Sequence, residues 1–194
     1  MKLFDSIREL FGTKIEKRSL TMENVFGAFQ PGGLVPTPAG VEVNGTTAMT
    51  ISAVWNAVNL IAGSGVASIP LKVFKASGEG REAATSHYLY RLVHEEPNRY
   101  MTSFSFRETL MHHVLLWGNA FAEIEWDRAG RPIALWPISP TAIQVTIENG
   151  EPVYRYNGRP LNPSDLIHIP GLGFDGVKGY SVITMARHAF GLAL

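Results

Sequence analysis

The sequence contains no cysteine, which excludes disulfide bonds and thiolate metal sites. It also lacks a net charge: 17 Lys and Arg residues balance 17 Asp and Glu residues, so no overall field attracts DNA or an anionic membrane. No apolar run reaches the roughly 18 residues that a membrane-spanning helix needs. The first ten residues, MKLFDSIREL, include acidic side chains and no cleavage site of a secretion signal. What is present, 45% hydrophobic and 18% charged residues, is typical of a globular chain with a core.

The motifs of common nucleotide-binding and acyl-transfer enzymes are absent or incomplete. No G-x-S-x-G motif occurs, and Lys178 is followed by Gly where a phosphate-binding P-loop has Ser or Thr. Gly171, Gly173 and Gly176 do form G-x-G-x-x-G after an apolar run. A dinucleotide site also needs an acidic residue about 20 positions later, and no acidic residue follows Asp175. We interpret these glycines as a loop, with a nucleotide-binding enzyme as the alternative.

The titratable side chains form no pattern that favours a catalytic or metal-binding site over an ordinary structural role. His112 and His113 are adjacent on a predicted helix and point about 100° apart, so they cannot chelate one ion together. His168 lies in an apolar strand, where a half-buried, hydrogen-bonded ring is the simpler interpretation. Glu123 and Glu125 share one face of a strand about 7 Å apart, as in any half-solvated strand. We predict no catalytic residue, no metal site and no cofactor.

The N-terminal region is predicted to be an arm and a linker. Residues 2–18 place an apolar stripe on one helical face, which predicts a short terminal helix. A membrane-peripheral adaptor that uses this helix is a second alternative. Residues 31–40 are rich in Pro and Gly, which predicts a linker before the compact domain. The stripe consists of Leu3, Phe4, Ile7, Leu10 and Phe11.

Two helices are predicted in the first part of the compact domain. Apolar residues repeat at helical spacing over residues 51–62, with Thr50 as the expected N-cap. Gly63 and Gly65 are expected to weaken the far end of this helix. A second, short helix is predicted over residues 87–93 and stops before Pro97.

A longer helix and a series of strands follow. The helix is predicted to begin at Thr102 or at a capping box formed by Ser105 and Glu108. It is predicted to end at Gly118, which can adopt a left-handed conformation without a Cβ penalty. Helices followed by short strands indicate an α+β fold. The predicted strands are residues 70–76, 119–126, 132–138, 142–147, 153–156 and 166–169.

The last segment, SVITMARHAFGLAL, is predicted to be a helix with Ser181 as its N-cap. It is strongly apolar and reaches Leu194 without a capping residue or a charged last turn. We therefore expect this helix to continue in a longer chain.

With these elements placed, the chain resembles the portal (head–tail connector) proteins of long-tailed bacteriophages. The resemblance rests on the stretches AVWNAVNLIAGSGVASIPLKVFK, LYRLVHEEPN, SFRETLMHHVLLWGNAFAEIEWDRAGRPIALWPISPTAI, LIHIPG and DGVKGYSVI, in this order. It covers residues 49–190. One departure is Val182, where the family often has Pro. Portal chains are also substantially longer than this one.

The resemblance implies an α+β fold with three parts. Residues 1–45 would be the arm and linker. Residues 46–175 would be a wing-like domain of helices and a meander of short antiparallel strands. Residues 176–194 would be a bend and the start of a truncated stem helix.

The resemblance also implies a structural protein without an active site. Portal subunits form a ring, usually dodecameric, at one capsid vertex of the virion, and double-stranded DNA passes through its channel. The implied partners are other copies of the chain, the terminase large subunit, the major capsid or scaffold protein and a head-completion adaptor, with no membrane. Synthesis would take place in the bacterial host cytoplasm.

Our candidate site residues match the family's motifs and turns. The glycines from residue 171 onward are expected to permit a sharp, adjustable bend from the wing into the stem. The set is Pro97, Asn98, Gly118, Asn119, Gly171, Gly173, Gly176, Gly179 and Ser181.

Overall fold

The structure is a computed structural model that describes residues 42–78, 80–173 and 175–193. The predicted terminal helix of residues 2–18 and the linker of residues 31–40 lie outside these residues. Near the start of the described chain, Val43 belongs to a buried cluster with Val58, Leu116 and Ile183. No helix in the described ranges is long and apolar enough to cross a membrane.

The first helices differ from the prediction at their N-terminal end. Helix α1 (Gly45–Ala48) is capped by Asn44, whose Oδ1 accepts from the N–H of Thr46 and of Thr47 at 2.9 Å. Helix α2 (Ser52–Asn59) begins after Ile51 without a side-chain cap. The prediction of Thr50 as N-cap is therefore wrong. Its hydroxyl donates to the Thr47 carbonyl at 2.7 Å, because α1 already occupies the preceding turn.

Helix α2 ends as a regular α-helix at Asn59, and the chain continues as a π-helix over Leu60–Ala67. The region of Gly63 and Gly65 is therefore not α-helical, in agreement with the predicted weak end, but it remains helical where it packs against the next long helix. A Cβ on Gly63 would lie 3.1 Å from Glu108 Oε1 on helix α4 (Ser103–Trp117), so this glycine allows close helix–helix contact.

A hairpin and a short helix follow. Strands β1 (Phe74–Ser77) and β2 (Gly80–Ala83) pair antiparallel and are exposed at every position. The strand predicted over residues 70–76 is therefore present only from Phe74, and β2 was not predicted. Helix α3 (Tyr88–Tyr90) continues into a π-helical turn, Arg91–Glu95.

The start of helix α4 shows which of the two predicted N-caps is present. The Thr102 hydroxyl accepts from the N–H of Ser105 at 3.2 Å, so Thr102 is the cap. The helix ends at Gly118 as predicted, with φ of 80°.

Six further strands follow, with 3₁₀ turns at Pro140–Ala142 and Pro163–Asp165. They are β3 (Asn119–Trp126), β4 (Pro132–Ile138), β5 (Ile143–Glu148), β6 (Glu151–Tyr156), β7 (Arg159–Leu161) and β8 (Leu166–Pro170). They form two three-stranded antiparallel sheets, ordered β4–β3–β8 and β5–β6–β7.

The five strands predicted from residue 119 onward are present within two residues, and the α+β fold is confirmed. The strands do not form one meander, because β8 returns to pair with β3 after the second sheet. Strand β7, which is short and contains Pro160, was not predicted.

Strand β3 lies at the centre of the packing, between α4 and the second sheet. Ala120 and Ala122 pack with helix residues Phe106 and Leu110 in one buried cluster. Phe121 points to the opposite face and packs with Ile143, Tyr154 and Leu166. The first half of β3 is therefore buried on both faces.

The last segment is not one helix, as predicted, but two: α5 (Val182–Met185) and α6 (Arg187–Ala193). The chain leaves helical geometry at Ala186, whose N–H is shared between the carbonyls of Val182 and Thr184. This tightened turn accompanies the packing of Phe190 against the cluster that holds Ile183.

Candidate functional site at the bend after strand β8

Three backbone segments meet behind the C-terminal end of α4, and we call this place the junction: residues 118–119, 171–172 and 179–181. The Gly118 carbonyl accepts from the Gly171 N–H at 2.8 Å, and the Leu172 carbonyl accepts from the Tyr180 N–H at 2.7 Å. A Cβ on Gly118 would lie 2.6 Å from the Gly179 carbonyl oxygen. A Cβ on Gly171 would lie 2.9 Å from the Gly118 oxygen, and one on Gly179 would overlap that oxygen. Glycine at these positions allows close backbone approach.

The other loop glycines have different roles. A Cβ on Gly173 would overlap the Lys178 carbonyl oxygen, whereas Gly176 has φ of 71° with open space around it. Between them, the Asp175 carboxylate accepts from the N–H groups of Val177 and Lys178 at 2.8 and 2.7 Å. The G-x-G-x-x-G pattern thus encodes a self-bonded turn. Its N–H groups at 177 and 178 are already occupied, which argues against the nucleotide alternative.

The Asn119 side-chain amide binds both backbone polar groups of Gly179. Its Nδ2 donates to the Gly179 carbonyl at 2.8 Å, and its Oδ1 accepts from the Gly179 N–H at 2.9 Å. Asn119 is buried, so both backbone groups would be left without water or another partner if the amide were lost. The first residue of β3 therefore holds the chain just before α5.

His168 on β8 extends this contact toward the second sheet. Its Nε2 lies 3.0 Å from Asn119 Oδ1, and its Nδ1 lies 3.2 Å from the Tyr154 hydroxyl on β6. Its ring stacks on Phe121 with centroids 4.5 Å apart. Burial disfavours the charged imidazolium and lowers the pKa of His168 to about 4. The sequence-based interpretation of a half-buried, hydrogen-bonded histidine is confirmed.

Ser181 joins the start of α5 to the end of α4. Its hydroxyl accepts from the Thr184 N–H at 3.2 Å, as an N-cap does, and donates to the Leu116 carbonyl at 2.7 Å. That carbonyl lies in the last turn of α4, where the helix cannot supply a partner. One buried hydroxyl thus satisfies two helix ends, and α5 begins at Val182 without the family's Pro.

The predicted pair Pro97 and Asn98 lies outside the junction and protects the free edge of β4. The Pro97 carbonyl accepts from the Leu135 N–H, and Asn98 Nδ2 donates to the Leu135 carbonyl, both at 2.8 Å. Asn98 Oδ1 also accepts from the Tyr100 N–H at 3.0 Å. This segment occupies backbone groups that would otherwise be open to a foreign strand.

The titratable residues considered in the sequence do not converge on a chemical centre. Glu125 accepts from Trp136 Nε1 at 2.8 Å across the β3–β4 pair. Burial, and secondarily the charge of His112, lowers the pKa of His113 to about 4. In the part of the chain that the structure describes, no three His, Asp or Glu side chains are arranged to hold a metal ion.

Of the predicted site residues, six meet at the junction or directly beside it: Gly118, Asn119, Gly171, Gly173, Gly179 and Ser181. Gly176 shapes the turn next to them, and Pro97 and Asn98 lie at the β4 edge. Sequence reasoning missed Tyr154 and did not connect His168 to Asn119. No local pattern marks either contact, because β6 and β8 meet β3 only in the folded chain.

Comparison with known proteins assigns the family. Residues 52–194 match the family model described as phage portal protein. The chain belongs to this family. It is 32% identical over 158 residues to the portal protein of Enterobacteria phage HK97, covering 78% of this chain and 37% of that protein. It is 29% identical over 107 residues to protein BeeE of Escherichia coli strain K12, covering 55% of this chain and 67% of that protein.

Solved structures show the same portal-like fold. A chain in the neck of an empty gene transfer agent (GTA) particle, computed with C6 symmetry, aligns with a TM-score of 0.63 and 23% identity, covering 90% of this chain and 49% of that one. A chain in the neck of the native GTA particle, computed with C12 symmetry, aligns with a TM-score of 0.56 and 22% identity, covering 89% and 47%. The chain thus spans about half of these structures and just over a third of the HK97 portal protein. The family resemblance seen in the sequence is confirmed.

Proposed function

We propose that this chain forms the wing and bend of a portal subunit in a phage or prophage particle. The observation that carries the proposal is the family match over residues 52–194, which includes every residue of the junction. The subunits form a ring at one capsid vertex of the virion, through which double-stranded DNA is packaged and ejected. The protein acts mechanically and is not an enzyme.

The geometry of the junction supports a mechanical role. Asn119 and Ser181 tie the segment after β8 to the end of α4 through buried hydrogen bonds. Close glycine contacts leave this backbone little room to shift, so most of these glycines serve close packing and not the adjustable bend that the sequence predicted. The position of residues 182–193 beside the end of α4 is therefore fixed, as a subunit that aims a helix at a channel requires.

The exposed apolar surface supports assembly with other copies. Helix α2, its π-helical continuation and the residues directly after it expose large apolar side chains in the part of the chain that the structure describes. Isolated exposed apolar residues are common, but a group on one short segment marks an interaction surface. This group is Trp55, Leu60, Ile61, Val66, Ile69 and Leu71.

The remaining predictions stay part of the proposal. The partners are other copies in a ring, dodecameric when the subunit is full length, the terminase large subunit, the major capsid or scaffold protein, and a head-completion adaptor. Residues 1–45 act as arm and linker, 46–175 as the wing, and 176–194 as the bend and start of the stem. Synthesis takes place in the bacterial host cytoplasm, and no membrane is involved.

The test is the position of the chain in assembled particles. A short epitope is inserted at Gly78 in the β1–β2 turn, where a side chain meets no other atom within 4 Å, and particles from the encoding phage or prophage are labelled with gold. We expect one label cluster per particle, at the vertex that carries the tail. Label spread over the capsid surface, or particles that lack the chain, would contradict the proposal.

A further inference from the structure

The two hydrogen bonds between Asn119 and Gly179 determine which way the Asn119 amide faces. The Gly179 carbonyl can only accept, so the group 2.8 Å from it must be the Nδ2 donor. The Gly179 N–H can only donate, so the group 2.9 Å from it must be Oδ1. Rotating the amide by 180° would place donor against donor and acceptor against acceptor. Asn119 Oδ1 is thereby also fixed as the atom facing His168.

This orientation determines the tautomer of His168. Asn119 Oδ1 has no proton to give, so His168 Nε2, 3.0 Å away, must carry the proton and donate it. In a neutral imidazole the other nitrogen, Nδ1, is then an acceptor. The Tyr154 hydroxyl, 3.2 Å from Nδ1, must therefore donate. The two hydrogen bonds of His168 therefore run in one direction, from Tyr154 through His168 to Asn119.

The bond between Tyr154 and His168 joins two sheets that share no backbone pairing. Tyr154 belongs to β6 in the second sheet, whereas His168 and Asn119 belong to β8 and β3 in the first. We propose that Tyr154, His168 and Asn119 form a directional relay through which the second sheet sets the geometry of the bend at Gly179, with His168 as the positioning residue. This relay is a property of the chain itself and does not rest on the portal role.

The relay works by holding the His168 ring from both sides. Without the Tyr154 hydroxyl, the half-buried Nδ1 loses its donor, and the ring regains a hydrogen bond if it turns toward water. Turning the ring would lengthen the Nε2–H bond to Asn119 Oδ1 and weaken the amide's hold on Gly179. Movement of β6 away from His168 has the same consequence as loss of the hydroxyl.

The test compares two tyrosines on the same strand. Tyr154→Phe removes the donor, and Tyr156→Phe is the matched control, because Tyr156 is exposed and its hydroxyl makes no hydrogen bond to any described residue. In the unmodified chain, nitrogen NMR should show His168 protonated at Nε2. Tyr154→Phe should leave this tautomer in place, because Asn119 Oδ1 still requires a donor, and should speed hydrogen exchange of the Gly179 amide about three- to tenfold. Tyr156→Phe should not change that exchange rate.

Two features separate a relay from simple destabilisation. The Gly171 amide also lies in the junction but bonds the Gly118 carbonyl, so it serves as the internal reference. Equal acceleration at Gly171 and Gly179 would overturn the proposal, as would an Nδ1–H tautomer in the unmodified chain. In a His168→Phe background, which retains an aromatic ring against Phe121, Tyr154→Phe should have no further effect on Gly179. Independent effects of the two substitutions would also overturn it.

Discussion

The junction and helix α2 are opposite kinds of structure within one chain. The junction is built from glycine and small polar residues, and Asn119 and Ser181 are buried with hydrogen-bond partners. Helix α2 and its continuation lie in a stretch, residues 49–70, that contains no charged residue, yet Leu60 is 66% and Trp55 is 53% exposed.

This contrast separates a region whose geometry is determined by contacts within the chain from a region whose geometry depends on contact with another molecule. A buried polar contact with every partner present permits one arrangement, because any shift leaves a donor or acceptor unpaired. An exposed apolar face imposes no geometry until another surface covers it. The first suits a bend that must hold an angle, and the second suits a contact between subunits.

Gly179→Ala should have the largest effect. The new Cβ would overlap the Gly118 carbonyl oxygen, and backbone rather than a flexible side chain would have to move. We expect a loss of about 3 kcal/mol or more in the free energy of unfolding, or no soluble protein. Gly80→Ala is the control, since its Cβ would meet only the Ser77 oxygen at 3.7 Å. Urea denaturation measures both, and similar stability of the two variants would refute tight packing at the junction.

A comparison of Gly118 with Gly130 separates two roles of glycine, which are to allow close approach of another backbone segment and to adopt a positive φ. Gly118 and Gly130 have similar φ, 80° and 73°, but a Cβ on Gly130 meets nothing within 4 Å. Gly130→Ala should cost about 1 kcal/mol of unfolding free energy, the cost of a left-handed alanine. Gly118→Ala should cost clearly more. Equal costs would mean that Gly118 serves only to end the helix.

Asn119→Leu should have the next largest effect. Leucine is similar in size but leaves the buried N–H and C=O of Gly179 unpaired, each worth about 1 to 3 kcal/mol. We expect a total loss of about 2 to 4 kcal/mol in unfolding free energy. Asn56→Leu on α2 is the control, because Asn56 is exposed and should change stability by less than about 0.5 kcal/mol.

Much of the core fold could be predicted from local patterns. The change from helical to alternating periodicity at Gly118 placed the end of α4 and all of β3, and the turn after Trp126 placed β4. These elements are specified by residues close in sequence. The π-helical continuation over Leu60–Ala67 could not be predicted in this way, because it packs against α4, which is distant in sequence.

The junction was predictable in its residues but not in its contacts. Glycine, asparagine and serine at turns and helix ends are local signals, and they singled out Gly118, Asn119, Gly179 and Ser181. Asn119 and Gly179, however, are 60 residues apart, and the chain has no periodicity that links them. The contact exists because β8 pairs with β3 and brings the following loop beside the end of α4.

The buried histidines should make the free energy of unfolding depend on pH, with a smaller effect than that of the glycine and asparagine substitutions. The pKa of His168 and of His113 is about 4 in the folded chain, below the ordinary value of 6.5. Between these values the unfolded chain binds more protons than the folded one, so the unfolding free energy falls as pH falls from about 6.5 to 4. In His168→Gln this slope should decrease, by at most about 1 kcal/mol per pH unit since the ring is only partly buried. An unchanged slope, measured by denaturation at several pH values, would contradict a neutral His168.

Substitution of the exposed apolar face should have the smallest effect on stability and the largest on assembly. In Leu60→Gln with Ile61→Gln, two side chains that are 66% and 43% exposed become polar. We expect the unfolding free energy to change by less than about 0.5 kcal/mol, because little buried area is lost. Self-association, measured by sedimentation velocity across protein concentrations, should decrease.

The matched control for this face is Val58→Gln on the same helix, because Val58 is only 6% exposed and packs in the cluster with Leu116. It should lower the unfolding free energy by about 2 kcal/mol or more, since a polar group replaces a packed methyl pair. A loss of similar size in Leu60→Gln with Ile61→Gln would mean that the face is covered within the chain itself. Unchanged self-association would mean that the subunits meet elsewhere, because a contact between copies through this face cannot keep its strength after its apolar surface is removed.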